Sequence, residues 1–330
     1  MPDATLILAS RGSPLALKQS HWVKTELERR VPGIRVEILL VRTTGDRLQA
    51  QPLPQIGGKG LFTKEIEEAL LEGRAHLAVH SLKDLPTELP PGLTLAAVPE
   101  REDPRDVLVS REGKRLAELA AGARVGTSSV RRAAQLHYLR PDLTVEPLRG
   151  NLDTRLRKLR EGPLDAIVLA AAGLRRLGLE GQITEYCSEE MLCPAVGQGA
   201  LGIEARRSDE RTLQALTVLE DRWARLCVTA ERSLLRHLGG GCQMPIAAAA
   251  RRQGDRLCLT ALVIRPDGSE RIRTNESAAP GSADAQGPAA IALAEALGKK
   301  AAENLLEQGA DKILQSVAED QNPPPIPQAP

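Results

Sequence analysis

Aromatic side chains are nearly absent: the 330 residues include two Trp, two Tyr and one Phe. The cores must therefore be aliphatic, and few rings are left on which nucleobases could stack, which weighs against nucleic-acid binding. An excess of one charge is also missing. Lys+Arg number 44 and Asp+Glu 43, a net charge of +1, which argues against a global polyanion binder but leaves room for a local basic cleft. The five cysteines are odd in number and scattered. Cys187 and Cys193 are too far apart for a C-x-x-C pair and no His stands at ligand spacing, so neither a disulfide framework nor a metal site is expected, and a reducing compartment is. No stretch approaches the ~18 apolar residues of a membrane span. The opening Met1–Ser10 has no basic region and only a short apolar run, so it reads as a strand, and a cytoplasmic protein without a membrane partner is expected.

What is present is an ordinary globular composition, 42% hydrophobic and 26% charged, in a chain long enough for two or three domains. Leu6–Ser10 is a strand; Ser13 and Pro14 are a helix N-cap and first turn, predicting a helix to about Arg30. A strand follows at Arg35–Val41, then a long polar stretch from Thr43 to Lys59 that reads as a lid loop. Its Gly57-Gly-Lys-Gly60 lacks the spacing and trailing hydroxyl of a nucleotide-binding loop. After a helix from Leu61, the buried run Leu77–Val79 opens onto Ser81, Lys83 and Asp84. Further strands are predicted at Asp106–Ser110, Arg124–Gly126, Leu143–Leu148 and Leu164–Leu169, with helices opening at Thr127 and after Asn151.

This alternation predicts an α/β protein with two doubly wound, parallel βα domains. The chain crosses near Pro99–Pro104 and returns near Gly197–Glu204, giving a two-lobed, type II periplasmic-binding-protein-like architecture. We expect domain 1 to span 1–99 and 200–220, and domain 2 to span 100–199. Domain 3, at 221–319, is expected to be α+β: a helix from Trp223 to Leu238, a meander of Ile246–Arg251, Arg256–Arg265 and Glu270–Thr274, and a helix from Ala289 to Gln308. The tail 320–330, with Pro323–Pro325, is expected to be disordered.

Arginines gather where strands end. Arg131 and Arg132 occupy a predicted first helical turn, where the helix dipole disfavours cations, and Arg149 precedes another helix start. Guanidiniums and helix N-termini converging on one sheet edge repel unless an anion lies between them, and arginine's fork suits carboxylates. The cleft is therefore expected to take a ligand with several carboxylates or phosphates. Separately, Gly239–Gly241 and Pro245 set Cys242 on a tight loop at a helix end.

Seven stretches carry a resemblance: Ser10-Arg-Gly-Ser-Pro14, Gly57-Gly-Lys-Gly-Leu-Phe62, His80-Ser-Leu-Lys-Asp-Leu-Pro86, Gly126-Thr-Ser-Ser-Val-Arg-Arg132, Arg149-Gly-Asn-Leu-Asp-Thr-Arg155, Gln198-Gly and Gly240-Gly-Cys242. In this order, and missing only the Pro-rich tail, they resemble the porphobilinogen deaminase family of tetrapyrrole biosynthesis. The resemblance implies a covalent dipyrromethane cofactor on Cys242, and condensation of four porphobilinogens with loss of ammonia into linear hydroxymethylbilane. Each pyrrole carries an acetate and a propionate, in keeping with a cationic cleft. By analogy Lys83, Ser129, Arg131, Arg132, Arg149 and Arg155, with Ser81 and Thr127, hold the cofactor. Arg11, Ser13, Arg176, Lys59, Phe62 and Gln198 meet the substrate, and Asp84, a carboxylate expected to stay ionised among cations, is catalytic. Gln55 stands near where the family often has a lysine, which puts one cationic lid contact in doubt. A monomer without metal is implied. A two-lobed solute-binding protein and a thiol hydrolase are the competing classes; the Cys242 domain argues against the first, and the lack of a His/Asn partner arrangement against the second.

Overall fold

The computed structural model describes residues 4–47, 61–241, 244–279 and 287–321. The first sheet takes β1 (Ala4–Ser10), β2 (Ile34–Leu40), β3 (Leu77–Ser81), β4 (Leu93–Ala97) and β10 (Leu201–Arg206), in the order β2-β1-β3-β10-β4. The second takes β5 (Asp106–Ser110), β6 (Arg124–Gly126), β7 (Thr144–Glu146), β8 (Ala166–Ala170) and β9 (Glu185–Tyr186), in the order β7-β6-β8-β5-β9. The central strands are continuous apolar runs because helices cover both faces. Leu8, Leu77 and Ile203 are fully buried in the first sheet, and Leu108, Val125 and Ile167 in the second.

The sheets are mixed rather than wholly parallel. β1 runs parallel to β2 and β3, but β10 is antiparallel to β3 and β4. In the second sheet β6 is parallel to β7 and β8, whereas β5 is antiparallel to β8 and β9. The antiparallel strands are the two that follow the inter-lobe crossings, so each lobe receives its fourth-position strand from the other lobe, from the opposite direction. The edge strand β4, five residues long, is not among the predicted elements.

Helix α1 (Pro14–Arg30) has the predicted bounds, with Ser13 Oγ accepting the Ala16 amide at 3.4 Å. After it come α2 (Thr44–Arg47), α3 (Lys64–Leu71), α4 (Val130–Leu139), α5 (Leu152–Glu161), α6 (Ala171–Arg176) and α7 (Glu210–Leu216). Asn151 Oδ1 caps α5 through the Thr154 amide at 2.9 Å. In the stretch expected to be a loop, 44–47 form a helical turn and 48–60 lie outside the described residues.

The last part of the chain builds the antiparallel meander β11 (Ile246–Gln253), β12 (Arg256–Ile264) and β13 (Arg271–Ala278). It packs against α8 (Arg222–His237), α9 (Pro288–Glu307) and α10 (Ala310–Gln321). The chain resumes as a helix after Gly309, so Asp320 and Gln321 are helical and do not belong to the tail; 322–330 lie outside the described residues. A Cβ at Gly298 would sit 2.8 Å from Ser233 Cβ and overlap the Ala230 carbonyl, so glycine sets the close crossing of α8 and α9. The meander's opposite face packs Ala247, Ala249, Leu262 and Ile264 against Ala134 and Cys193 of the second lobe. Ala224 and Val228 of α8 pack on Leu82, Leu85 and Val98 of the first.

One carboxylate joins these parts. Glu231 of α8, fully buried, accepts Arg101 Nη1 at 2.7 Å and Nη2 at 3.1 Å from the first crossing. It also accepts the Gly197 amide of the second crossing and the Ala250 amide of β11, both at 2.7 Å.

Candidate active site

The C-terminal ends of β1, β3, β6, β7 and β8 and the second crossing surround a cavity of about 890 Å³. Ligands collect there in open α/β sheets because the loops beyond those strand ends present backbone and side-chain donors. Among the described residues, Arg11, Arg42, Lys83, Arg131, Arg132, Arg149, Arg155 and Arg176 line it, against Asp46, Asp84 and Asp153, a formal excess of five positive charges. The predicted Ser13, Phe62, Ser81, Ser129 and Gln198 line it as well. Sixteen positions were predicted, and all but Thr127, Lys59 and Cys242 meet at this cavity. Lys59 and Cys242 lie outside the described residues, as does Gln55.

Of the described candidates, Thr127 alone does not line the cavity. It is buried and off the cavity wall, where its Oγ1 accepts the Ser129 amide at 3.2 Å. It shapes the turn before α4. Ser129 itself caps α4, its Oγ accepting the Arg132 amide.

The anion demanded by Arg131 and Arg132 is partly internal. Asp106, fully buried at the start of β5, accepts Arg131 Nη1 at 2.7 Å through Oδ2. Its Oδ1 accepts Arg132 Nε at 3.0 Å and Nη2 at 2.7 Å, and Gln198 Nε2 at 2.8 Å. Burial pushes this carboxyl up, but the two guanidiniums outweigh it and hold Asp106 well below the usual carboxylate range. Asp106 lowers the positive excess around the cavity to four. Arg132 also donates to the Val168 carbonyl at 3.0 Å, so most of its fork is committed to protein. Arg131 Nε is buried without an acceptor among the described residues.

Gln198, on the cavity wall, is also tied into the protein. Only 1% exposed, it donates to the Pro104 carbonyl at 2.7 Å and accepts Lys83 Nζ at 3.4 Å, joining the crossing to the arginine cluster. Burial pushes the Lys83 ammonium down to about 8, against the pull of Asp84 beside it. Arg155 donates Nε to the Gly150 carbonyl at 2.9 Å, and burial with Arg132 nearby lowers it to about 10. Arg176 donates to the Gly199 carbonyl at 2.6 Å and burial likewise lowers it to about 10. Burial disfavours the charged form of each, the condition under which an anionic ligand gains most.

Asp84 ends a short 3-10 turn (Leu82–Asp84) after β3 and is exposed to the cavity. Ser81 Oγ is held by Gln19 at 3.1 Å, and His80 Nε2 lies 3.0 Å from Glu204 Oε2 behind the sheet, away from the cavity. Phe62 stacks under Arg11, whose Cζ is 4.3 Å from the ring centroid. Asp46, Asp106, Gln19 and Arg42 are site residues the sequence reading missed. The apolar run Asp106–Ser110 opening on a carboxylate was the one usable signal, since a charge at the head of a buried strand needs a partner.

The glycines before Cys242 have a local explanation. Gly239 is left-handed at φ 63°, and the Gly239 and Gly240 amides reach the Arg236 and Leu235 carbonyls at 3.1 and 3.0 Å, closing α8 in a Schellman motif. A Cβ at Gly240 would overlap Leu235 and Ile246, whereas Gly239, held by its left-handed φ, and Gly241 both face open space.

Two lobes around a cationic cleft, braced by a third domain, define a site suited to a ligand with several carboxylates. The family model "Porphobilinogen deaminase, dipyromethane cofactor binding domain" matches residues 6–214, and "Porphobilinogen deaminase, C-terminal domain" matches 225–307. The chain belongs to the porphobilinogen deaminase family. It is 48% identical over 326 residues to the porphobilinogen deaminase of Syntrophotalea carbinolica, covering 99% of each chain. With that of Roseiflexus sp. it shares 56% over 264 residues, 80% of this chain and 87% of that one. Among solved structures it is weakly similar to the methionine-binding protein MetQ, at 11% identity and TM-score 0.40 over 64% of this chain and 89% of that one. A dipyrromethane with an acetate and a propionate on each ring fits the residues present: the cleft's net positive excess and the unpartnered Arg131 Nε both call for carboxylates.

Proposed function

We infer that this chain acts as a hydroxymethylbilane synthase, a transferase that joins four porphobilinogens head to tail on a covalent dipyrromethane, releases ammonia, and frees the linear product by hydrolysis. The observation that carries the site assignment is the cluster of cations around one exposed carboxylate, Asp84, in a cavity of about 890 Å³. When bound through Cys242, the dipyrromethane supplies the nucleophilic pyrrole carbon. Lys83, Arg131, Arg149 and Arg155, with Ser129 and Ser81, would hold its carboxylates. Arg132 and Gln198 fix that wall through Asp106.

Arg11, Ser13 and Arg176 orient the substrate's acetate and propionate. Asp84 then accepts a pyrrole N–H and stabilises the positive charge that develops as ammonia leaves, the electrostatic role of a preorganised acceptor. It can also pass a proton to the leaving amine and, after the C–C bond forms, take up the proton that the attacking pyrrole carbon loses. No helix among the described residues is long and apolar enough to cross a membrane. A monomer working in the cytoplasm completes the proposal.

The test is an intact mass of denatured protein together with turnover of porphobilinogen. We expect a mass excess equal to two linked pyrrole units, abolished by Cys242→Ser. Active protein with the bare sequence mass would overturn the cofactor assignment.

A further inference from the structure

The cavity wall holds a carboxylate that the proposed chemistry does not use. Asp46 Oδ1 accepts Arg11 Nη2 at 2.5 Å and Nε at 3.2 Å, and its Oδ2 accepts Nε at 3.3 Å. These contacts take the Nε–Nη2 edge of the guanidinium, the edge best suited to gripping a carboxylate bidentately. Thr43 steadies Asp46 from behind, its hydroxyl donating to Oδ2 at 2.8 Å and its amide at 3.4 Å. Gly45 lies beneath Phe62, where any Cβ would overlap the ring, and its amide donates to the Leu61 carbonyl at 2.8 Å. The stretches 43–46 and 61–62 thus form one clamp around Arg11.

We propose that Asp46 is a resident competitor: it occupies Arg11 in place of a substrate carboxylate and thereby sets how tightly the cleft takes an incoming dicarboxylate. This rests on the reading of Arg11 as a substrate contact. Both partners remain reachable, Arg11 being 24% and Asp46 21% exposed at the side chain. Exchanging one carboxylate for another leaves Arg11 paired throughout, so the substrate gains only the difference between two similar contacts. A cleft lined by eight cations has reason to blunt one of them: an uncontested grip on the product's many carboxylates would slow its release.

The experiment is Asp46→Asn in the full-length holoenzyme, with kcat and KM for porphobilinogen and the competitive inhibition constant of succinate measured at fixed ionic strength. Removing the competitor should lower KM and the succinate constant together, by roughly three- to tenfold, the range for a partly exposed charged pair. A KM that rises or stays unchanged overturns the proposal, since Asp46 would then be holding Arg11 in place for substrate or doing nothing at the site. Should Asp46→Asn not yield folded holoenzyme, Thr43→Val loosens Asp46 without removing its charge, and a smaller fall in KM, roughly twofold, is expected there; a rise overturns the proposal equally. Absence of turnover in the unmodified enzyme would sink the functional reading instead, so the two failures are distinguishable.

Discussion

Replacing Asp106 by Asn probes the arginine cluster most directly. Asp106 accepts four side-chain hydrogen bonds, from Arg131 Nη1, Arg132 Nε and Nη2, and Gln198 Nε2. Asparagine keeps the shape but loses the charge, and its amide sets a donor against at least one guanidinium. Removing one partner of a buried ion pair costs about 3–5 kcal/mol, because the remaining charge is left uncompensated. The full amount should appear in a Cys242→Ser background, where no covalent ligand shares the cleft, as a fall in unfolding free energy from urea titration. In loaded enzyme the loss should shrink, because cofactor carboxylates meet the positive charge the mutation exposes. The pH dependence has a definite sign. Asp106 is depressed in the folded state, so its contribution is complete above the unfolded value of about 3.9 and is lost as pH falls through the folded value. Asp106→Asn should therefore flatten the acid limb of stability below about pH 4. A loss under about 1 kcal/mol in the cofactor-free background, against the 3–5 expected of a buried pair, would refute the claim that Asp106 is the internal counter-ion.

Asp84→Ala should keep fold and cofactor yet lose nearly all turnover, read by intact mass beside steady-state rates; near-normal rates would remove Asp84 from catalysis. Arg149→Ala should impair cofactor assembly or elongation, visible as bare protein or stalled masses, and a fully loaded, fully active variant would contradict the carboxylate cleft. Lys83, lowered to about 8 by burial, loses its charge as pH rises through that value, so kcat/KM should fall on the alkaline side. Lys83→Arg, which stays charged, should abolish that limb; an unchanged alkaline limb would exclude Lys83 as its source.

Much of this was legible where a signal is local. Ser13-Pro14 fixed the start of α1, Asn151 capped α5, and period-two alternation gave the meander. The clustering of arginines at strand ends pointed to the cavity they now line. What escaped depends on distance in sequence. The carboxylate that neutralises Arg131 and Arg132 lies 25 and 26 positions away on another strand, and Asp46 lies 35 from Arg11. Periodicity reports which face of an element is apolar but says nothing about the direction of the strand beside it, so β5 and β10 read as parallel. The short edge strand β4 and the continuation into α10 after Gly309 carried too little pattern, or followed too strong a stop. The Gly239–Gly241 run read as the frame of a tight loop at a helix end, without telling which of its residues close the helix and pack there: Gly239 and Gly240 do so.

Glu231 has a mechanical consequence. Both strands of chain that pass between the lobes are pinned to it, one through Arg101 and the other through Gly197. The same helix ends six residues later, at His237, roughly 9 Å along its axis at about 1.5 Å per residue, and leads directly into the loop of Cys242. The residue that pins both crossings and the helix end that leads toward Cys242 therefore belong to one rigid rod. If the lobes swing about the crossings, α8 is the element at which both movements meet, packed on the first lobe through Ala224 and Val228 and tied to both crossings through Glu231.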